Sequence, residues 1–382
     1  MKAECGASEN PGGKPRFPQS IAIAGAWGYI GRKFLDAALA LGLRTYVYDP
    51  GPAPADLAAE RAIRIAAEES FYQLQADLFH LALHPEHRRR GLAILLERSR
   101  AEPIVILCEK PMAAPEHPEE CGRIIDAADR ARAVVLYDFP ELYDPLTRRI
   151  REHLARFRDV RIESIHLQRS KDREDPAQRR NYKRMVTIQY QESVHCLAFA
   201  LYTLAGLRGG DPEALFADGL SVAAASEPYC PPNPEAYPRV VDGRCEFRLA
   251  LAGATIEGRT DFKRGAPWAK RRILRGTADG RPFVIEVDYL EGCKRLTIDG
   301  EEQAIDPAAD SYAAVIETLG DWRAAASARE LMTGLYPNPR FARLTYQLSS
   351  ALWRSSRERK PIALASLEAL QCFDAGFAAA IR

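Results

Sequence analysis

The first third of the chain alternates between short apolar runs and segments in which apolar residues have helical spacing. The run 21–24 has the pattern of a buried strand and leads directly into the glycine-rich segment 25–31. Further strands are predicted at 45–48, 77–83, 103–107 and 133–137, with helices at 34–41, 87–98 and 118–132. Strand–helix–strand alternation predicts a mostly parallel sheet with helices on both faces.

The pattern changes after about residue 140. Helices are predicted at 146–156, 187–205, 310–325 and 338–356. Period-two alternation, which is typical of strands with one wet face, occurs at 160–167, 245–251, 254–262, 270–275, 283–287 and 295–298. These segments predict a second, α+β domain with a large, mainly antiparallel sheet.

Composition and charge narrow the class of protein. The chain has 382 residues, with 53 Lys and Arg against 52 Asp and Glu, so its formal net charge is +1. A balanced chain has no overall basic field for nucleic acid or an anionic membrane, and we expect neither as a partner. Local basic runs at 88–90, 179–180 and 270–272 are therefore expected to be solvated helix faces or turns.

The cysteines and the N-terminus bear on localisation. Eight cysteines are scattered without a CxxC pair or zinc spacing, which fits a reducing compartment. No apolar run is long enough for a transmembrane helix, and residues 1–19 lack the apolar core of a secretory signal. We expect a soluble, cytoplasmic protein with a disordered leader at 1–19.

The glycine cluster has the pattern of a dinucleotide-binding turn. Gly25, Gly28 and Gly31 form GxxGxxG, which also reads as AxGxxG from Ala26. Glycines let the backbone approach a pyrophosphate, whose charge then sits at the helix N-terminus. The second strand ends at Asp49, 24 residues after Gly25, where a carboxylate would bind ribose hydroxyls and repel a 2′-phosphate. The pattern favours NAD over NADP; the alternative is a purely structural turn with an ordinary strand-end Asp.

A second motif follows the strand at 103–107. The sequence Cys108-Glu109-Lys110-Pro111 resembles the Glu-Lys-Pro hallmark of the Gfo/Idh/MocA family, named after glucose–fructose oxidoreductase and inositol dehydrogenase. The segment His84-Pro85-Glu86-His87 is similar to that family's turn beside the nicotinamide ribose, and 337–364 is similar to its terminal helix and closing strand. Proline holds Lys110 in an extended turn at the carboxyl end of a strand, where ligands of open α/β sheets bind. The alternative is a surface lysine at a turn.

Another candidate group lies on the apolar helix at 187–205. Family members carry an Asp and a His four residues apart; His195 matches the histidine, but Gln191 stands where the Asp would be. A neutral amide orients an imidazole without stabilising its charged form, so Glu192 is a candidate to substitute and Tyr190 a further proton donor. The alternatives are a satisfied core histidine and, with only two ligands in sight, a metal site; we expect no metal.

The resemblance implies an NAD(H)-dependent oxidoreductase acting on a carbinol carbon of a sugar, nucleotide sugar, cyclitol or similar polyol, with His195 as acid/base and Lys110 polarising or relaying. It implies a Rossmann NAD-binding domain at 20–139, an α+β substrate and oligomerisation domain at 140–382, and a homodimer or homotetramer formed through the C-terminal sheet. The predicted catalytic residues are Lys110, His195, Gln191 and Tyr190. The predicted cofactor-binding residues are Gly25, Ala26, Trp27, Gly28, Tyr29, Ile30, Gly31, Asp49, Leu83, His84, Pro85, His87, Glu109 and Lys110.

Two other functions stay open at this point. One is a redox-neutral NAD-dependent lyase or glycosidase, in which bound NAD is reduced and reoxidised within one cycle. The other is a non-catalytic sensor that binds a sugar or a dinucleotide, which Gln191 in place of Asp favours and the presence of Lys110 and His195 opposes.

Overall fold

A computed structural model describes residues 17–54 and 61–377, so most of the leader predicted at 1–19 lies outside the described residues. The first sheet has six strands in the order β3-β2-β1-β4-β5-β6, and every pairing in it is parallel. Its strands are β1 (Ser20–Ala24), β2 (Arg44–Tyr48), β3 (Ile63–Arg64), β4 (Leu78–Leu81), β5 (Ile104–Glu109) and β6 (Ala133–Asp138). The doubly wound sheet predicted from the sequence is confirmed.

The central strands of this sheet are buried along their whole length and are mostly apolar, because helices cover both faces. All six residues of β5 and of β6 are buried. The connecting helices are α1 (Tyr29–Ala40), α2 (Glu68–Phe71), α3 (Pro85–Arg98) and α4 (Glu119–Asp129). Helix α3 begins two residues before the predicted start, since Pro85 suits a first helical position, where no backbone N–H is needed.

The second sheet has nine strands in the order β14-β13-β12-β11-β7-β10-β9-β8-β15. Its strands are β7 (Val160–Ser170), β8 (Leu220–Pro228), β9 (Asp242–Leu251), β10 (Ala254–Asp261), β11 (Ala269–Ala278), β12 (Arg281–Asp288), β13 (Arg295–Ile298), β14 (Glu301–Glu302) and β15 (Ile362–Leu364). Within the described part of this second sheet, β7 and β10 are the one parallel pair, so the expectation of a large, mainly antiparallel sheet is confirmed.

The remaining helices join the two sheets. They are α5 (Pro140–Tyr143), α6 (Pro145–Leu154), α7 (Val194–Gly206), α8 (Ser311–Ala325), α9 (Ala328–Thr333), α10 (Pro339–Glu358) and α11 (Leu367–Gln371). Helix α10 contacts β6 and α4 on one side and β8 and α7 on the other, while α8 contacts α1. The C-terminal helices therefore hold the second sheet against the parallel one.

Apart from several short strands and helices that were not predicted, two longer elements depart from the sequence-based prediction. The helix expected at 187–205 consists of a π-helix at Gln189–Ser193 followed by α7. Strand β8 was not predicted, because its sequence LSVAAASEP is rich in alanine and has only one β-branched residue, Val222, and no aromatic one.

Candidate functional site

The glycine turn after β1 has a shape that only glycine allows. Gly25 has φ +77°, and a Cβ there would lie 2.7 Å from the Ala82 carbonyl oxygen. A Cβ at Gly31 would lie 2.1 Å from the Gly25 carbonyl oxygen, so α1 and the turn touch backbone to backbone. Helix α1 begins right after Gly28, and its first N–H groups lack intrahelical partners. Residues 25–31, including Ala26, Trp27, Tyr29 and Ile30, thus form a cradle that fits a pyrophosphate at a helix N-terminus.

Asp49, at the end of β2, ties the neighbouring loop to this turn. Its carboxylate accepts hydrogen bonds from the backbone N–H groups of Trp27 (3.0 Å) and Gly51 (2.9 Å). A carboxylate has about four acceptor positions, so two stay available for ribose hydroxyls. Two guanidinium groups lie close by, since Arg32 Nε donates to the Trp27 carbonyl and Arg64 Nη2 to the Gly51 carbonyl.

The segment after β4 lies beside the same turn. The Leu83 side chain packs against Gly25, since a Cβ on Gly25 would lie only 2.7 Å from Leu83 Cδ2. His84 caps α3, Pro85 occupies its first turn, and burial lowers the pKa of His84. His84 and His87 line a cavity of about 230 Å³ whose far wall comes from 184–186 and 237–241. Both sequence-predicted histidines therefore face the second half of the chain.

Arg88 fixes the turn that carries Lys110. This arginine is 1% exposed, and its guanidinium donates to the carbonyl oxygens of Glu109, Pro111 and Met112. The expectation that the run 88–90 is a solvated helix face is wrong for Arg88, because one turn of α3 faces the sheet. Lys110, next to the cis peptide bond to Pro111, extends from the carboxyl end of β5.

Lys110 reaches the second half of the chain. Its Nζ donates to the Gln191 carbonyl oxygen at 2.7 Å, within the π-helix. Burial lowers the pKa of Lys110, while the carboxylates of Glu192 and Glu109 partly restore it. The predicted lysine therefore lies where the two sheets meet.

The Glu109 side chain turns into the first sheet instead. Its Oε1 lies 3.3 Å from Nε2 of His80, and it is hydrogen bonded to Asp138. Burial raises the pKa of both Glu109 and Asp138, and it lowers the pKa of His80 to about 4. The structure places this carboxylate beneath the turn, where it supports Lys110, and does not bring it to the cradle.

The π-helix is held by side chains that bond in different directions. Gln189 Nε2 donates to Ser226 Oγ (2.8 Å) on β8 and to an Asp242 carboxylate oxygen (2.7 Å) on β9. Ser193 Oγ lies 2.8 Å from Thr260 Oγ1 on β10. These anchors favour the wider π turn, which often marks a functional segment.

His195, one residue into α7, has a carboxylate partner that the sequence did not reveal. Its Nδ1 lies 3.3 Å from Oε2 of Glu141 on α5, and both side chains are 3% exposed. Burial and the positive charges of Arg169 and Lys110 together lower the pKa of His195 to about 3, against the opposing effect of Glu141. The imidazole is thus neutral at neutral pH, and its Nδ1 faces Glu141 Oε2 at ion-pair distance, although neither atom has a hydrogen bond among the described residues.

Glu192 does not replace the missing Asp. Its carboxylate is held by Arg169 Nε and by Lys171 Nζ. Burial would raise the pKa of Glu192, but Lys171 and Arg169 outweigh it and hold the pKa well below its usual range. The suggestion that Glu192 substitutes for the family's Asp is therefore wrong, and the carboxylate at His195 is that of Glu141.

Glu141 and Glu192 are bridged by one guanidinium, since Arg169 Nη1 also bonds Glu141. Burial would raise the pKa of Glu141, yet Arg169 and His195 keep it well below its usual range. We call the set Lys110, Glu141, Arg169, Lys171, Glu192 and His195 the charged cluster. Within it, the ionised Glu141 carboxylate favours an imidazolium formed at His195 by proton transfer, whereas Arg169 and Lys110 oppose that charge.

Two predicted catalytic residues lie differently from the expectation. Gln191 contributes its backbone carbonyl oxygen to Lys110. The Tyr190 hydroxyl lies 2.8 Å from Ser350 Oγ on α10, and its ring packs 5.1 Å from that of Tyr346. Tyr190 therefore faces the terminal helix rather than the charged cluster, because successive residues of a helix point about 100° apart.

Comparison with known proteins was made at the level of sequence and of structure. No protein-family model and no curated protein matches the chain. A myo-inositol dehydrogenase from Corynebacterium glutamicum matches its structure with a TM-score of 0.62 at 18% identity, covering 90% of this chain and 98% of that one. An oxidoreductase from Agrobacterium radiobacter, solved with NAD+, L-tartaric acid and magnesium, has a TM-score of 0.66 at 14% identity, covering 92% and 99%.

A third solved structure of the same fold is the transcriptional regulator Gal80p from Kluyveromyces lactis. Its TM-score is 0.62 at 13% identity, and the match covers 92% of this chain and 95% of that one.

No helix among the described residues is both long and apolar enough to span a bilayer. The chain has the two-domain fold of the Gfo/Idh/MocA proteins, as its sequence resemblance implied.

Proposed function

We propose that this chain is an NAD(H)-dependent oxidoreductase that acts on a carbinol or carbonyl carbon of a sugar, nucleotide sugar, cyclitol or similar polyol. One observation carries the proposal. Lys110, at the carboxyl end of a strand in the sheet that bears the glycine cradle, meets the π-helix that leads into His195. Ligands of open parallel sheets bind outside this edge.

The residues have distinct roles in this proposal. Residues 25–31 and Asp49 would hold the dinucleotide, with Leu83, His84, Pro85 and His87 beside its nicotinamide end. When bound, the cofactor supplies the acceptor or donor of a hydride. The Lys110 ammonium orients and polarises the substrate oxygen. His195 Nε2 takes the hydroxyl proton during oxidation, and Glu141 stabilises the resulting imidazolium.

The solved relatives support the reaction class and the cofactor. One is a myo-inositol dehydrogenase and another is a UDP-N-acetylglucosamine 3-dehydrogenase from Acidithiobacillus ferrooxidans. A third binds NAD+. Asp49 favours NAD over NADP because its charge would repel a 2′-phosphate. The test is NADH formation at 340 nm from NAD+ and a panel of sugars and polyols, with NAD+ binding measured by calorimetry.

Lys110→Ala provides the matched test of the site. We expect it to lower turnover at least 100-fold while NAD+ affinity changes less than threefold, since general acid–base and polarising groups contribute about 10²- to 10⁴-fold. Lys360→Ala is the control, because this exposed ammonium pairs with Glu358 at 2.9 Å, beyond the end of α10. Unchanged turnover in Lys110→Ala would remove Lys110 from the mechanism.

The redox-neutral lyase or glycosidase and the non-catalytic sensor are the alternatives. Transient NADH in a single turnover without net accumulation would favour the first. Absence of any hydride transfer, with sugar or dinucleotide still bound, would favour the sensor, which has a fold precedent in Gal80p. Glu141 beside His195 supports the enzyme, because it restores the carboxylate that Gln191 lacks.

We propose the domain boundary, the localisation and the assembly on the basis of the same family resemblance. The boundary between cofactor and substrate domains lies near residue 139, the protein is cytoplasmic, and it forms a homodimer or homotetramer through the outer face of the second sheet. That face is crossed by paired charges, including His166 with Glu257 at 3.3 Å and Arg259 with Glu246 at 3.3 Å. A monomeric mass by light scattering would contradict this assembly.

A further inference from the structure

Basic residues occupy one face at one end of the second sheet. Arg169 is the last residue but one of β7, and the chain beyond the strand stays hydrogen bonded to the segment after β10, since the N–H groups of Lys171 and Arg173 donate to the carbonyl oxygens of Asp261 and Phe262 at 3.0 Å each. Side chains two residues apart in extended backbone point to the same side. Positions 169, 171 and 173 therefore present three cations in a row.

Strand β11 adds two more. Lys270 pairs directly with Arg169 across the ladder, and Arg272 pairs with Leu167. Like charges directly opposite one another destabilise a sheet unless something offsets them. We call Arg169, Lys171, Arg173, Lys270 and Arg272 the basic face.

The carboxylates within the protein do not balance the basic face. Among the described residues, Glu141 and Glu192 are the two acids that ion-pair with it, so five basic side chains share two carboxylates. Arg173 donates only to neutral acceptors, the Met185 sulfur and the Arg180 carbonyl oxygen. No ion pair of Lys270 is found among the described residues.

Arg272 shows the same shortage of acceptors. It is fully buried, and its Nε and Nη2 have no hydrogen-bond partner in the described part of the chain. Its Nη2 lies 3.8 Å from Glu141 Oε1. Buried cationic donors without acceptors are costly, so this shortage calls for an anion from outside the protein.

The basic face adjoins the proposed reaction centre. Glu192, which holds Lys171 and Arg169, is the neighbour of Gln191, whose carbonyl oxygen holds Lys110. An anionic group bound at Lys171 would therefore lie beside a carbinol held at Lys110, with Lys270 opposite Arg169 on the next strand.

We infer that the substrate is an acidic sugar or polyol, and that the basic face binds its carboxylate or phosphate group. This inference rests on the proposed function for the identity of the site, and it adds the charge of the substrate. It corrects the expectation that Lys270-Arg271-Arg272 is a solvated run, because Arg272 faces inward and only Arg271 faces out.

The test compares three probes that differ only at carbon 6, D-glucose, D-glucuronate and D-glucose 6-phosphate. The unfolding midpoint of the full chain is measured with each probe at 10 mM, at constant ionic strength, with and without NADH. We expect at least one charged probe to raise the midpoint where glucose does not. The charged probe that raises the midpoint more shows whether the basic face prefers a carboxylate or a phosphate group.

Variants connect the shift to the basic face. Arg173→Gln and Lys270→Gln are expected to weaken binding of the charged probe at least tenfold, measured by calorimetry. Arg275→Gln is the matched control, since it removes an exposed arginine from the opposite face of β11. No shift with either charged probe, an equal shift with glucose, or a shift that survives both substitutions would overturn the inference.

The two proposals fail separately in this design. Selective binding of a charged probe without NADH formation from any substrate would retain the anion site and refute the oxidoreductase. NADH formation from neutral polyols, with no preference for charged ones, would retain the oxidoreductase and refute the anion site.

Discussion

Glu141→Gln tests whether this carboxylate makes His195 a competent base. The substitution keeps the size of the side chain and removes the charge 3.3 Å from Nδ1 of His195. Opposite unit charges at that distance attract by about 5 kcal/mol at an effective dielectric constant of about 20. Arg169 neutralises part of the Glu141 charge, so the substitution removes less than this amount of stabilisation from the imidazolium. We expect turnover to fall about 10²- to 10³-fold, or roughly 3 to 4 kcal/mol.

The control is Gln191→Ala, which removes the amide at the position of the family's Asp. We expect it to lower turnover less than tenfold, because the Gln191 group that holds Lys110 is its backbone carbonyl. The unfolding midpoint and NADH affinity of each variant show whether the fold and the cradle are intact. Equal losses in the two variants, or a wild-type rate in Glu141→Gln, would refute the assigned role of Glu141.

Nuclear magnetic resonance of ¹⁵N-labelled histidine gives a readout that needs no substrate. Burial lowers the pKa of His195 to about 3, so the ring should stay neutral from pH 5 to 8 in both proteins. In the wild type, the proton should sit on Nδ1 facing Glu141, which leaves Nε2 as the base. In Glu141→Gln we expect a mixture of tautomers. Titration of the wild-type ring near pH 6.5 would contradict this account.

Three further predictions follow from other parts of the structure. Asp49→Ser removes the charge at the end of β2 and leaves two guanidiniums, one of them Arg64, so the kcat/KM ratio of NADPH to NADH should rise at least tenfold; an unchanged ratio would show that Asp49 does not select the cofactor. Arg88→Leu leaves three carbonyl oxygens buried without their donor, which should cost about 3 kcal/mol or more in chemical denaturation, and a loss below 1 kcal/mol would contradict its role. Burial lowers the pKa of Lys171 to about 7, only partly opposed by Glu192, so affinity for a charged probe should fall up to tenfold per pH unit above pH 7, and Lys171→Arg should abolish that slope.

Local sequence determined the parts of the site that depend on neighbouring residues. The glycine cradle needs close backbone approach within seven residues, and Asp49 and Lys110 follow strands whose apolar runs are unmistakable. Their common position at one edge follows from parallel pairing, because all strands of such a sheet end on the same side.

Pairings between distant segments could not be inferred in the same way. Glu141 and His195 are 54 positions apart and meet only because α5 packs against α7. Arg88 appeared to belong to an exposed basic run, although its helical spacing from Leu92 and Leu95 puts it on the buried face of α3. The basic face, in contrast, could be recognised in the sequence from the period-two spacing of Arg169, Lys171 and Arg173, although β7 itself ends at Ser170.

The π-helix makes chain length itself a functional property. A π turn is an α-helical turn with one residue added. Deleting any residue between Gln189 and Ser193 would allow an unbroken α-helix, but it would rotate everything upstream by about 100°. Gln189 would swing away from Ser226 and Asp242, and the carbonyl that receives Lys110 would turn aside. We therefore expect this stretch to tolerate many substitutions better than the loss of a single position.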